Sequence, residues 1–298
     1  KLVVTGSHLS PDYGNTIEEI KTDGIKIDKR IEMLLNSNSK IGITKSIGLS
    51  LLSISEYLEE SNPDLVILLG DRYEILPVAI GSLISSIPVA HIHGGELTTG
   101  AYDDAIRHSI SKMSFLHFVA TEEYKNRVIQ LGEDPKRVFN VGGMGVDSIK
   151  NIKLLSRNIL EKELNFEFGL KNLLVTYHPT TLSLQSSKTE INIILETLEL
   201  YEDISFIFTY PNADNDSFEI IKSIKNFCFN RKNSIFVKSL GQIKYFSFIS
   251  YVDGVLGNSS SGLIEVPSFK KGTINIGCRQ DGRIKAESVI DCEVSKEN

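Results

Sequence analysis

The sequence predicts an α/β fold of two doubly wound, Rossmann-like domains facing a cleft. Three features predict it. Short apolar, strand-like runs alternate with segments of helical spacing from Leu2 to Leu164, and the alternation restarts at Asn172. The run Leu65–Leu69 is apolar without a break, as suits a parallel strand covered by helices on both faces. The polar motifs fall just after strands, where open parallel sheets bind ligands. The change of half places an N-terminal domain over residues 1–152 and a C-terminal domain over 153–298.

Taken in order, Leu2–Thr5 reads as a strand, followed by a polar loop with the turn residues Pro11, Asp12 and Gly14. Thr16–Asp23 reads as a short helix stopped by Gly24, and Ile25–Ile27 as a strand. Ile43, Ile47, Leu51, Ile54 and Leu58 have helical spacing, which predicts a helix over Ile43–Glu60. Strand Leu65–Leu69, helix Ile75–Ser86 and strand Ile87–Ile92 make a βαβ unit of about thirty residues. Helix Ala105–Met113, strand Phe115–Ala120, helix Glu122–Leu131 and strand Val138–Val141 complete the first half, and helix Lys153–Leu164 bridges to the second. There the expected strands are Asn172–Tyr177, Ile204–Tyr210, Ser234–Lys238, Gly254–Leu256 and Thr273–Ile276. The expected helices are Thr189–Leu200, Phe218–Phe227 and Ile243–Tyr251. After Ala286 the pattern fades.

Composition narrows the function. A chain of 298 residues with 41% apolar and 23% charged residues can bury two ordinary cores. A net charge of −6 argues against nucleic acid, which needs a basic face, but leaves room for one phosphorylated metabolite. No apolar run reaches the ~18 residues of a membrane span. Three scattered cysteines without C-x-x-C fit a reduced cytoplasm and neither a disulfide framework nor zinc. GGMGVD lacks the dinucleotide spacing, and there is no P-loop. No cofactor and no metal are expected, so turnover should survive EDTA.

The densest chemistry lies between Asp64 and His108. One strand end carries Asp71, Arg72 and Glu74; the next carries His91, His93 and Glu96; Asp103, Asp104, Arg107 and His108 follow at a helix start. Asp71, Glu96, Asp103 and Asp104 would repel one another unless they bind something or divide their proton affinities. At least one is expected to be structural: Asp103 or Asp104 capping the helix, Glu96 pairing with Arg107. His91, His108 and His117 read as packed histidines. In the second half, GNSSSGLIE offers Ser259, Ser260 and a helix start to a diphosphate and Glu265 to ribose hydroxyls, or is simply a serine-capped helix. Arg279 and Arg283 in GCRQDGR suit phosphate or uracil carbonyls, or are surface arginines. His178 in TYHPTT is placed to touch a phosphate or to pack within its loop.

The segments SPDYGNT, LGDRYE, HIHGGE, YDDAIRHSISKM, VFNVGGMGVD, TYHPTT, YPNADND, GNSSSGLIE and GCRQDGR span nearly the whole chain. In that order they resemble the hydrolysing UDP-N-acetylglucosamine 2-epimerases of sialic-acid pathways. The resemblance implies the two-domain GT-B architecture and conversion of UDP-N-acetylglucosamine to N-acetylmannosamine and UDP through a 2-acetamidoglycal. It implies catalytic carboxylates at Asp71 and Asp103, with His93 and Glu96 completing the proton-transfer pool. It implies UDP contacts at Arg72, His178, Ser259, Ser260, Glu265 and Arg279, with Asn212 near the nucleotide. The implied partner is the UDP-sugar, in a homodimer or homotetramer.

Many members carry a glutamate where this chain has His93; a histidine can still move a proton. That departure points to an alternative substrate, UDP-N,N′-diacetylbacillosamine of the legionaminic-acid route. Further alternatives are a non-hydrolysing epimerase, a glycosyltransferase, for which no acceptor signature is seen, and a UDP-sugar sensor. The family's opening strand and closing helices are not matched, so the chain reads as cut at both ends.

Overall fold

The computed structural model describes residues 1–37, 39–183 and 185–295. Every strand pairing in it is parallel. In the first half, β1 (Val3–Thr5) pairs with β2 (Lys29–Ile31). Then β3 (Val66–Leu69), β4 (Val89–Ile92), β5 (Leu116–Val119) and β6 (Val138–Asn140) form a four-stranded sheet in chain order. The second half is a six-stranded sheet of β7 (Lys171–Thr176), β8 (Ile204–Thr209), β9 (Ser234–Val237), β10 (Gly254–Gly257), β11 (Gly272–Ile276) and β12 (Val289–Cys292). Its order is β12-β11-β10-β7-β8-β9. The chain builds outward from β7 in one direction and returns to build outward from β10 in the other. The crevice between the C-terminal ends of β7 and β10 is therefore the switch point at which such sheets bind ligands.

Side-chain alternation along the strands divides the second half into two cores. Val175, Phe206, Phe208 and Leu256 pack under the helices Ser187–Leu198 and Ser217–Phe229. Leu174, Ile207 and Val255 pack on the other face under the helix Gly241–Tyr251. The helix Arg157–Leu164, expected as a bridge, contributes Leu160 to this second core. Each fully buried side chain of this kind is worth roughly 1.5–3 kcal/mol. Among the described residues no helix is long and apolar enough to cross a membrane.

The structure departs from the sequence expectation in four places. The strand after Gly24 lies at Lys29–Ile31, not Ile25–Ile27. The Asp28 carboxylate accepts from Leu2 N at 2.8 Å and Asp28 N donates to Leu2 O at 2.9 Å, which sets the register, and Ile31 is the buried residue. A helix forms at Met144–Asn151, a segment for which the sequence pattern gives no element. The fading tail contains β12, which pairs with β11. The apolar run of β3 is covered on one face only: Leu68 is buried, whereas Ile67 is 65% and Leu69 54% exposed.

Candidate active site

β3 and β4 are neighbours with Leu69 opposite Ile92, so the loops that leave them run side by side. The first delivers Asp71. The second delivers His93 and Glu96 through a tight turn in which His93 has φ +65° and Gly95 φ +79°. A side chain at Gly95 would also meet the Tyr124 carbonyl, so the glycine allows the turn to lie against the next helix. The second half grips the end of this loop. Thr99 N donates to Asp281 O at 3.3 Å, Leu182 N to Gly100 O at 3.2 Å and Tyr102 N to Thr181 Oγ1 at 3.0 Å.

Asp71, His93, Glu96, Arg107, Met144, Gln242, Ser260, Glu265 and Arg283 line one cleft of about 380 Å³. Arg107 holds Asp71 through Nη2. It also donates to Glu96 O at 2.7 Å and Thr98 Oγ1 at 2.8 Å, so the buried guanidinium is satisfied. The expected Glu96–Arg107 pair is thus made to the Glu96 carbonyl, and the carboxylate is used elsewhere. Glu96 Oε1 lies 2.7 Å from His93 Nδ1, and Oε2 lies 3.0 Å from Arg283 Nη2. Burial pushes the Glu96 carboxyl up, but the His93 hydrogen bond and the Arg283 guanidinium outweigh it and hold the group below its usual range. Glu265, with Oε2 buried and unpartnered, is pushed up by burial.

A second cleft, of about 410 Å³, adjoins the first through Gln242 and Glu265, which line both. It opens at the switch point. Its wall includes His178 after β7, Ser259 and Ser261 after β10, Asn212 after β8, and Lys238. Asn258 ties the two loops together: its Oδ1 accepts from His178 N at 2.7 Å and its Nδ2 donates to His178 O at 2.9 Å. Burial, reinforced by Arg279, lowers His178 to about 3, so it is neutral. Asn212 N donates to His178 Nδ1 at 3.0 Å, which leaves the proton on Nε2. His178 therefore faces a ligand as a neutral donor. The helix after Ser260 is a single turn, Ser261–Ile264, whose N–H groups already donate to Ser259 and Ser260, so any anion there would meet the serine hydroxyls rather than a long dipole.

Three of the residues to which the resemblance gives catalytic or UDP roles line neither cleft. Arg279 is buried and donates to Asn258 O at 3.1 Å, with Nε unpartnered. Arg72 and Asp103 belong to a separate cluster. Arg72 Nη1 donates to Asp103 Oδ1 at 3.2 Å, Nη2 lies 2.7 Å from Asp214 Oδ1, and Nε lies 3.4 Å from Glu74 Oε2. Asp104 accepts from Thr98 N at 2.6 Å, inside the loop that precedes its helix. His91 is bound to Ser111 and Gly70 O, and His117 to Glu133, as packed histidines are. Sequence reasoning passed over Asp214, two residues beyond Asn212, and also Gln242 and Met144. Nothing local to Gln242 or Met144 signals their place. Among the described residues no group of three or more His, Cys, Asp or Glu is arranged to hold a metal ion.

The family model described as UDP-N-acetylglucosamine 2-epimerase matches residues 1–298. A Campylobacter jejuni protein named GDP/UDP-N,N′-diacetylbacillosamine 2-epimerase (hydrolyzing) is 45% identical, over 99% of this chain and 77% of its own length. Polysialic acid biosynthesis protein P7 of Escherichia coli is 44% identical, over 99% of this chain and 75% of its own. A Legionella pneumophila UDP-N,N′-diacetylbacillosamine 2-epimerase (hydrolyzing) is 37% identical, over 99% and 77%. The crystal structure of UDP-GlcNAc 2-epimerase from Neisseria meningitidis bound to UDP-GlcNAc superposes with a TM-score of 0.77 at 19% identity, over 100% of this chain and 80% of that one. This likeness carries the fold, the two-domain GT-B arrangement of Rossmann-like sheets.

Proposed function

The chain belongs to the UDP-N-acetylglucosamine 2-epimerase family, and on that premise we propose that it is a hydrolysing 2-epimerase of UDP-N,N′-diacetylbacillosamine. The observation that carries the proposal is the union of two clefts. One holds Asp71 and His93 at adjacent strand ends, and the other holds His178 and the serine loop at the switch point. A sugar in the first would have its nucleotide in the second. The choice of sugar rests on the names of two relatives, 45% and 37% identical. It reverses the order reached from sequence motifs alone, where UDP-N-acetylglucosamine came first.

The chemistry has two halves. A base takes the C2 proton, the C2–H electron pair becomes the C1=C2 bond, and the C1–O pair leaves with the diphosphate. Water then adds its oxygen to C1 while C2 receives a proton on the opposite face, which inverts C2. Two proton carriers are needed because the proton leaves one face and returns on the other. Asp71 and His93 are assigned to these positions. Such groups contribute typically 10²–10⁴-fold each. The neutral His178 Nε2–H and the hydroxyls of Ser259 and Ser260 are assigned to the diphosphate, where negative charge grows in the transition state. Arg279, bonded to Asn258 O beneath the cleft, is assigned to the support of the serine loop. Asn212 is assigned to the nucleotide side and Glu265 to the ribose. Arg72 and Asp103 are assigned to the frame that joins the acid–base half, residues 1–152, to the nucleotide half, residues 153–298.

The test is a product assay by NMR with each UDP-sugar offered separately. UDP and the free 2,4-diacetamido sugar inverted at C2 are expected. Turnover of UDP-N-acetylglucosamine alone would refute the choice of sugar and favour a second reading, N-acetylmannosamine formation, to which the likeness to protein P7 lends support. Retention of UDP on the epimerised sugar would refute hydrolysis.

A further inference from the structure

His93 is held in an unusual way. Its backbone takes the left-handed conformation, φ +65°, which a residue with a side chain adopts only where its surroundings hold it there. Its N–H donates to Phe118 O at 2.8 Å. Its ring is gripped at both nitrogens: Nδ1 lies 2.7 Å from Glu96 Oε1, and Met144 N donates to Nε2 at 3.4 Å. A carboxylate can only accept, so Nδ1 carries the proton. A backbone N–H can only donate, so Nε2 is the unprotonated, basic nitrogen; the Met144 contact on its one lone pair is long, 3.4 Å, and a substrate proton would displace it. The tautomer is thus fixed from two sides, and it is not the one that free imidazole prefers.

Glu96 cannot itself ferry a proton in this arrangement. It is buried, and its second oxygen is taken by Arg283 Nη2 at 3.0 Å. Arg283 comes from the other half of the chain, 187 residues further on. It is itself fixed by Leu97 O, 3.0 Å from Nε, and by Thr98 Oγ1, 3.3 Å from Nη2. The same loop carries Arg279 and Gln280, which donate to Asn258 O beneath the nucleotide cleft. One loop therefore touches the base on one side and the nucleotide cleft on the other.

We infer that Glu96 and Arg283 are positioning residues: Arg283 locks Glu96, and Glu96 holds the His93 imidazole as its Nδ1–H tautomer with Nε2 presented to the sugar. The proton-transfer site is then complete only when the 277–283 loop of the nucleotide half is docked on the 97–101 loop of the other half. This rests on the reading of His93 as a proton carrier and deepens it. It reassigns Arg283 from a nucleotide contact to a strut and moves Glu96 out of the catalytic pool.

The experiment is histidine-selective ¹⁵N NMR on the whole chain, with the His93 signal identified by its loss in His93→Gln. The pattern of a protonated Nδ1 and bare Nε2 is expected in the unmodified protein. Glu96→Ala and Arg283→Gln should move it toward the Nε2–H form, and Arg283→Lys should restore it in part. With an active substrate in hand, Glu96→Ala and Arg283→Gln should lower kcat by on the order of 10²-fold, short of the ~10⁴-fold that a wrong tautomer costs a serine protease. KM and UDP affinity should stay within about twofold. The kcat–pH profile should also shift, because Glu96 and Arg283 face the His93 ring together with Asp71, paired to Arg107, with His91 from β4, and with Glu265 from the second half. The tautomer readout needs no turnover, so failure of the proposed substrate leaves it intact. An Nε2–H tautomer in the unmodified protein overturns the inference. So does an unchanged tautomer in both variants, or an Arg283→Gln variant that loses UDP affinity while His93 keeps its state.

Discussion

Two ionic clusters start from consecutive residues just after β3, Asp71 and Arg72, and they are built on opposite principles. In the cleft, two carboxylates each have their own guanidinium: Asp71 has Arg107, and Glu96 has Arg283 with the His93 ring on its other oxygen. Around Arg72, three carboxylates share one guanidinium. Asp103 Oδ2, Asp214 Oδ2 and Glu74 Oε2 are left without a hydrogen bond, the last of them despite its 3.4 Å ion pair. The matched cluster is open to a substrate, with Asp71 20% exposed, whereas Asp103 and Asp214 are shut away. The difference separates chemistry from architecture. A proton carrier needs a defined partner and an open side, and a strut between two halves needs burial and a cation it cannot do without. Tyr73 and Tyr102 extend the strut, donating to Ala213 O at 3.1 Å and Asp214 Oδ1 at 3.2 Å.

The largest expected effect falls in the cleft. Asp71→Asn keeps an oxygen for Arg107 and nearly the same volume, so the fold should hold. It removes the group that takes or returns a proton, and kcat should fall by roughly 10²–10⁴-fold. UDP affinity measured by calorimetry should be unchanged, because Asp71 lines the first cleft and not the one that His178 lines. Unimpaired turnover would take Asp71 out of the mechanism.

Next comes the strut. Arg72→Met leaves Glu74, Asp103 and Asp214 buried together without a direct ion-pair partner, Arg279 acting on the two aspartates only from a distance, and breaking a buried ion pair from one side costs about 3–5 kcal/mol. Urea unfolding should show a loss of that size. A change below about 1 kcal/mol would mean that the three carboxylates take up protons without strain and that the strut is idle. Asp214→Asn should cost less, since Arg72 keeps two partners.

Most of this architecture could be read along the chain, and what could not has a common cause. The apolar runs and helical spacing located β3 to β11 to within a few residues, because those segments carry their own burial pattern. β2 escaped because its sequence, Lys-Arg-Ile, buries one residue of three and depends on Asp28 gripping Leu2. β12 escaped because Val289 and Cys292 are only half-buried at an edge. In the site, Asp71, His93, Glu96, His178 and the serine loop were legible as charged or small residues after strands. Their partners were not. Arg107 to Asp71 spans 36 residues, Arg72 to Asp214 142 and Arg283 to Glu96 187. No local pattern encodes which carboxylate a distant guanidinium meets, so Arg72 read as a UDP contact, and Arg283 as either a phosphate or uracil contact or a surface arginine.

The smallest effect sharpens the comparison most, because Glu74 of one cluster and Glu96 of the other should respond to pH with opposite sign. Glu74 is pushed above its usual 4.5, chiefly by burial, with Arg72 opposing only in part. A raised carboxyl contributes stability that is fully present below the unfolded value and is lost as pH rises through the folded one. Glu74→Gln never ionises, so it should match the unmodified protein at pH below 4.5 and become the more stable of the two as pH rises toward 7. Glu96 is held below 4.5, since His93 and Arg283 outweigh burial. Its contribution is present above 4.5 and is lost as pH falls through the folded value, so Glu96→Gln should be the less stable protein at pH 7 and converge on the unmodified one in acid. Urea unfolding of the three proteins across this range gives two difference curves of opposite slope if one cluster is matched and the other over-supplied with carboxylate. Parallel curves would mean that the two clusters are alike, and that the distinction between the open site and the buried strut has no basis in their charges.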